Sequence, residues 1–298
     1  MELGKFAPVV AEACSRPRRV CVAGAGSPDV LTSVAMAAAA GLVSECLLVG
    51  DPVEIRAALH GTGRKLEGKL VPAAPHEVGI VAARLTGAGE ADVLVKGKIT
   101  SSEFLRAVLD REAGLRGDSI LSHVAILEIP ALDYLVGVTD GGLNVAPDTR
   151  QKQAIIKNGI KCMKSLGTKV PRVALLAATE EVNPAMPVTT DAQALARWAE
   201  TACPDALVDG PLALDLAMSR DALQSKGIVS RLDGRADLWV VPSIECANIS
   251  VKALLLFGKS LMAGVVMGAR VPLVLTSRAD QPASKLVSLA VAAALVTG

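Results

Sequence analysis

At 298 residues the chain is long enough for two α/β domains, and with 51% hydrophobic but only 2% aromatic residues its cores must be packed from many small aliphatic side chains. Thirty-one basic against thirty acidic residues leave a net charge of +1, which argues against a general nucleic-acid or membrane-surface binder and leaves room for a local basic pocket. Six scattered cysteines with no CxxC, beside three scattered histidines, match neither a zinc site nor a disulfide framework; they read as small buried hydrophobes of a reducing compartment.

The first segment, MELGKFAPVVAEACSRPRR, intersperses its charges and shows no apolar run of the signal-peptide kind. Mean hydropathy is +0.43. Even so, the longest uncharged run, Val30 to Ser44, is too short and too alanine-rich to span a bilayer, so a cytoplasmic location is expected. Short β-branched runs then alternate with longer alanine-rich stretches. In chain order the predicted strands are RRVCVAGA, ECLLVG, ADVLVKG, SHVAILEI, YLVGVTD, RVALLAAT, ALVDG, DLWVVPS, AGVVMGA and PLVLTS. Predicted helices include SPDVLTSVAMAAAAGL, SSEFLRAVLDREAGL, TRQKQAIIKNGIKCMKSL, TDAQALARWAETA and IECANISVKALLLFGKSL. Nearly continuous apolar strands are covered on both faces, so the fold class is α/β with mainly parallel sheets. SHVAILEI and YLVGVTD, joined by PALD, predict one antiparallel hairpin.

Three familiar motifs fail on inspection. VAGAGSPD offers Gly24 and Gly26 of a dinucleotide fingerprint, but Asp29 stands at the third glycine position and would face a pyrophosphate badly. Gly258-Lys259-Ser260 ends like a P-loop, yet Ala253 replaces its first glycine and an apolar helical stretch replaces its loop. His123 sits in an apolar run with no Cys or His partner at ligand spacing, and reads as a core or turn histidine.

What does recur is a polar strand end: VLVKGKITSS, VGVTDGGLN, LVDGPLALD, VVPSIECAN and LVLTSRAD. Ligands gather at the carboxyl ends of parallel strands, where loops and helix N-termini supply donors. Any one of these ends could be simple helix capping; five of them suggest a shared cleft.

From about Ala91 to Ala290, ADVLVKGKITSSEFLRAVLDREAGLR, SHVAILEIPALDYLVGVTDGGLNVAPD, ALVDGPLALDLAM, VPSIECANISVKALL and LVLTSRAD follow one another in an order that resembles the phosphate acetyl/butyryltransferase family, with KGKI, DGGLNVAPD, DGPLALD and TSRAD nearer the butyryl branch. The resemblance implies reversible acyl transfer between CoA and inorganic phosphate, with acyl-CoA as substrate, no metal, no permanently bound cofactor and no covalent intermediate. It also implies a homodimer of two-domain chains, each with a cleft between its domains. The architecture is similar to that of isocitrate and isopropylmalate dehydrogenases. Carried over, the first domain takes residues 1–116 plus 265–298 and the second takes 117–264.

On that reading Arg278 is the natural phosphate ligand, because its planar fork matches two phosphate oxygens. Arg106 matches a family arginine that could hold the same phosphate, or it is an exposed helix arginine. Ser277 matches the family serine beside the CoA sulfur; with no histidine near it in sequence it is cast as a donor, the alternative being a helix cap. Lys98, Thr100 and Ser101 follow a strand and precede a helix, a setting that favours an anion. Asn144 and Asn248 could donate to a carbonyl or phosphate oxygen or serve turns and caps, and Asp209 and Asp215 would orient loop backbone or an arginine. Asp280 is the nearest carboxylate, yet Asp-Gln-Pro also reads as the N-cap of the last helix. One departure stands out: the acetyl branch carries a proposed general base seven residues after the family serine, and that position here is Ser284, which leaves the base unassigned. Three alternatives follow: acetyl specificity, a non-catalytic acyl-CoA or acyl-phosphate sensor, and a metal- and NAD(P)-dependent hydroxy-acid dehydrogenase-like enzyme.

Overall fold

The computed structural model of the chain describes residues 3–275 and 281–296. It divides into two compact units, Met1–Ser119 with Met262–Gly298, and Ile120–Leu261. In chain order the first unit holds α1 (Ala7–Ser15), β1 (Arg18–Ala23), α2 (Pro28–Ala39), β2 (Val43–Gly50), α3 (Pro52–Gly61), β3 (Lys69–Pro72), α4 (Val78–Gly87), β4 (Val93–Lys96) and α5 (Ser101–Val108). The second holds β5 (Ser122–Glu128), β6 (Leu135–Thr139), α6 (Thr149–Ser165), β7 (Arg172–Leu176), α7 (Pro187–Ala202), β8 (Leu207–Leu212), α8 (Leu214–Met218), α9 (Arg220–Lys226), β9 (Leu238–Val240) and α10 (Ile244–Leu256). The chain then returns to the first unit with β10 (Leu261–Met267), β11 (Leu273–Val274) and α11 (Pro282–Leu295).

The first unit's strands run β3-β2-β1-β4-β11-β10. All neighbours are parallel except β10 with β11. The buried apolar runs Val20–Ala23 and Val93–Val95 explain why helices cover both faces. α11 is buried on almost every side and packs on α1 and α2, as expected of a helix whose apolar residues encircle it. Strand order reverses between β1 and β4, so their carboxyl ends bound a crevice of the kind that binds ligands in open α/β sheets.

In the second unit the order is β5-β6-β9-β7-β8, with the β5–β6 hairpin antiparallel and the rest parallel. The predicted hairpin is therefore present. Its core brings Ile156, Ile160 and Met163 of α6 and Leu195 of α7 onto Val173, Leu175, Val208 and Leu238. Leu238 sits in a notch made by two glycines. A Cβ at Gly159 would lie 2.6 Å from one of its methyls and a Cβ at Gly137 would lie 2.8 Å from the other, so α6 rides close on the sheet.

Several expectations change. β3 was not among the predicted strands: it is a four-residue edge strand with no fully buried residue, too short and too polar to announce itself. The expected Asp280 N-cap is replaced by Gln281, because Pro282 takes the first helical position and the cap falls on the residue before it. The cysteines are not uniformly buried: Cys21, Cys46, Cys162 and Cys203 are, Cys14 is half-buried, and Cys246 is exposed on the open side of α10. Burial pushes the thiols of Cys21, Cys46 and Cys162 up to about 12, which leaves them inert near neutral pH.

Candidate active site

The crevice of the first unit is built by backbone contact. Beyond β4 the chain crosses directly over the end of β1: the Gly97 amide donates to the Ala23 carbonyl at 2.8 Å and the Lys98 amide to the Gly24 carbonyl at 2.7 Å. A Cβ at Gly97 would lie 2.1 Å from the Gly24 carbonyl oxygen, so no other residue fits there. Lys96 braces the same loop from within, its Nζ donating to the Ile99 carbonyl at 3.0 Å. Thr100 then opens α5 with a reciprocal cap: its hydroxyl accepts from the Glu103 amide, and the Glu103 carboxylate accepts from the Thr100 amide at 2.9 Å. The Thr100 hydroxyl, which donates to the same carboxylate at 2.7 Å, and the Thr100 amide hold the Glu103 carboxyl below its usual range.

Lys98 is exposed, and its ammonium donates to Glu54 of α3 at 2.9 Å. Gly26 makes room for that pair, since a Cβ there would lie 2.7 Å from Glu54 Oε2. Ser101 is exposed at the first position of α5 and Arg106 is exposed in its last turn. Lys98, Thr100 and Ser101 thus share one strand end; Arg106 stands more than a helical turn further along.

A second polar strand end lies in the other unit, where β6 and β9 run side by side and parallel. Its organiser is Asp140, a carboxylate only 4% exposed. One oxygen accepts from the Gly142 amide at 2.8 Å and the Leu143 amide at 3.0 Å; the other accepts from the His123 amide at 3.1 Å and the Asn144 carboxamide at 2.6 Å. Asn144 also donates to the Leu121 carbonyl at 2.9 Å, so both its N–H groups are engaged. The loop ends in a capping box between Asp148 and Gln151 that starts α6. The Ile244 amide donates to the Val145 carbonyl at 3.4 Å, joining this loop to the first turn of α10. Asn248 is exposed on α10 one turn further.

Asp209 lies elsewhere, in edge strand β8, two strands away from β9. Its carboxylate accepts from the Ser230 hydroxyl at 2.7 Å and the Arg231 amide at 2.9 Å, which pins the 230–231 loop. Asp215 is exposed and pairs with Lys226 at 3.3 Å. Ser277, Arg278 and Asp280 lie outside the described residues. Ser284 is buried in α11; its carbonyl accepts from Ser288, whose hydroxyl accepts from the Gly264 amide at 2.9 Å. Among the described residues, no group of three or more histidine, cysteine, aspartate and glutamate side chains is placed to hold a metal ion.

Sequence reasoning passed over Asp140, Lys96 and Glu54. Asp140 could have been found, because an aspartate before Gly141-Gly142 is a turn signal in which the side chain bonds backbone two residues on. Lys96 and Glu54 carry no such mark; only folding brings them to the loop.

A family signature described as phosphate acetyl/butaryl transferase matches residues 75–294. The chain belongs to that family. It is 40% identical over 277 residues, 92% of each chain, to a probable phosphate butyryltransferase of Bacillus subtilis. It is 33% identical over 287 residues, covering 96% of this chain and 97% of the other, to a phosphate acetyltransferase of Thermotoga maritima. Among solved structures, a branched-chain phosphotransacylase from Enterococcus faecalis matches with a TM-score of 0.81 and 33% identity, covering 93% of this chain and 98% of the other.

Proposed function

We propose that this chain catalyses reversible transfer of a short-chain acyl group, butyryl-like in size, between CoA and inorganic phosphate. The carrying observation is the 40% identity to the probable phosphate butyryltransferase of B. subtilis across 92% of both chains; acetyltransferase relatives share 33–38%, so the four-carbon preference is the part that the assay decides. A phosphate oxygen attacks the thioester carbonyl, an O–C bond forms, the tetrahedral oxyanion collapses with cleavage of the C–S bond, and the departing sulfur ends protonated as CoA. Such a step needs charge neutralisation, alignment and oxyanion donors, and neither a metal nor a covalent enzyme intermediate.

The residues cast for these tasks are those of the polar strand ends. Lys98 and the N-terminus of α5, with Thr100 and Ser101, suit an anionic group. Arg106 and Arg278 are the phosphate ligands of this reading. Asn248 orients a carbonyl or phosphate oxygen, whereas Asn144, whose N–H groups are taken by Asp140 and the Leu121 carbonyl, acts through the loop that it holds and not as the substrate donor first expected. Ser277 supports the departing sulfur, and Asp280 assists at the same loop. Asp209 acts through the loop that it pins. The exchange of the Lys98 ammonium from Glu54 to a substrate phosphate is inexpensive, because the Lys98–Glu54 pair is more than half exposed.

The working unit of this reading is a homodimer in the cytoplasm. Ile249, Leu256 and Phe257 are 67%, 74% and 85% exposed along and just beyond α10, an apolar row that a monomer seldom leaves open. Among the described residues no helix is long and apolar enough to cross a membrane. Light scattering that returned a monomer would remove the dimer from the proposal.

The deciding assay follows thiol release from acetyl-, propionyl-, butyryl- and hexanoyl-CoA with and without inorganic phosphate. Phosphate-dependent release, fastest for the four-carbon thioester, is expected. Release that ignores phosphate would overturn the reaction, and a maximum at acetyl would overturn the chain length. Pockets discriminate a methylene by only about 1–3 kcal/mol, so the preference will be graded rather than absolute.

A further inference from the structure

Lys285 is the only buried cation among the described residues, with 6% of the residue exposed. It stands in the first turn of α11, where its amide donates to the Gln281 carbonyl at 3.2 Å. Among the described residues its ammonium has neither a carboxylate nor a hydrogen-bond partner. A lysine stem this buried is uncommon in a residue without a partner; the stem is enclosed while the ammonium keeps access to solvent.

Among the described residues the end of the helix around it also lacks a counter-charge. α11 begins without a side-chain cap and without an acidic residue in its first turn. Pro282 at the first position has no N–H, so the first-turn donors are the amides of Ala283 and Ser284, which have no intrahelical carbonyl to reach. Fourteen residues of helix place the positive end of the dipole here. Helical Cα–Cβ bonds tilt toward the N-terminus, so a stem rooted at Lys285 lies over the turn before it. An ammonium on a buried stem, two amides and a dipole therefore converge on one spot.

α11 is tied to the sheet close by. Ser288, tied to the Ser284 carbonyl and the Gly264 amide, fastens α11 to β10. β11 lies beside β4 and parallel to it, with Val274 opposite Val95, so the chain runs towards α11 and towards α5 from neighbouring strand ends.

We propose that Lys285 and the first turn of α11 form a binding site for a phosphoryl dianion. The dianion comes either from inorganic phosphate or from a phosphate of CoA; this choice of ligand rests on the acyltransferase reading, whereas anion binding itself does not. Substrate supplies the missing counter-charge, and the site binds it by preformed electrostatics instead of by rearrangement.

The test compares the full chain with Lys285→Met and Lys285→Gln, which retain the length of the stem. Thermal unfolding is followed with inorganic phosphate, CoA and dephospho-CoA as probes, together with KM for phosphate and for acyl-CoA. The parent should be raised in Tm by at least one probe, and both variants should fold and lose that rise. A KM for phosphate raised about ten-fold with KM for acyl-CoA unchanged assigns the dianion to inorganic phosphate, the size expected when one charge-assisted hydrogen bond is lost. The reverse split, absent with dephospho-CoA, assigns it to the CoA ribose phosphate. A parent with no ligand-dependent rise, variants with the parent's rise, a fall in kcat with both KM values intact, or failure of both variants to fold would each overturn the proposal. A parent stabilised by phosphate that turns over no acyl-CoA would break the acyltransferase reading and leave this site standing.

Discussion

The loop after β4 and the loop after β6 occupy equivalent places, each at the carboxyl end of a strand and each running into a capped helix, yet opposite chemistry holds them. After β4 the brace is a cation that consumes carbonyls, Lys96 on Ile99, together with glycine backbone pressed onto the end of β1. After β6 it is a buried anion that consumes N–H groups: Asp140 takes the amides of His123, Gly142 and Leu143 and the carboxamide of Asn144. A loop whose carbonyls are occupied turns positive potential outward. A loop whose N–H groups are occupied is left with carbonyl and carboxamide oxygens to offer instead. The first suits a phosphate, and the second suits a donor group of a substrate.

If that contrast is right, the two loops must break differently. Gly97→Ala forces a Cβ to within 2.1 Å of the Gly24 carbonyl, where neither partner is a flexible side chain. Overpacking against backbone should cost about 3 kcal/mol, at the upper end of such substitutions. Chemical denaturation reads this as a large fall in midpoint, and a midpoint within error of the parent would show that the crossing over β1 can relax. Asp140→Ala comes next. It strands four donors on one buried spot, and water entry should hold the loss to about 2–3 kcal/mol. Asp140→Asn, which keeps one acceptor oxygen, should lose less. Because Asn144 is freed in Asp140→Ala, acyl transfer should fall by more than the folded fraction does. Activity that tracks the folded fraction would make Asp140 a stability residue alone.

The two loops were also unequally legible in the sequence. Strand ends show because apolar runs stop abruptly: VLVKG and VGVTDGG both announce a turn. Lys98, Thr100 and Ser101 follow by adjacency along one loop, and the structure finds them there. Adjacency is a poor guide once a residue works through space. Glu54 reaches Lys98 across 44 positions, and Lys285 matters because it is buried, which no local pattern records. Asp209 shows the reverse limit: its strand end carries the same polar mark as the others, but β8 lies at the edge of its sheet and the carboxylate serves a neighbouring loop. Strand order was beyond the pattern altogether, since periodicity gives the elements and not which of them become neighbours. Edge strand β3 escaped because half-exposed short strands have no apolar run to break.

A second buried carboxylate in the unit of Asp140 sharpens the contrast with the smallest expected effect. Asp237, just before β9, is 5% exposed and accepts from the Arg172 amide at 2.9 Å. Burial pushes its carboxyl above the usual range, against that amide and the charges of Arg235 and Arg172, which pull it down. A raised folded-state value means that the folded chain holds the proton more tightly than the unfolded chain. The resulting stability is therefore complete below the ordinary carboxyl value of about 4 and is lost as pH rises through the folded one. Asn mimics the protonated form. Asp237→Asn should accordingly be slightly more stable than the parent at pH 7, and the advantage should vanish as the pH is lowered below about 4. Urea midpoints of both proteins at the two pH values decide the matter. A variant destabilised at pH 7 but level with the parent below about pH 4 would mean that the charged oxygen is needed by Arg172, which would place Asp237 beside Asp140 as an anion the fold requires and not one it tolerates.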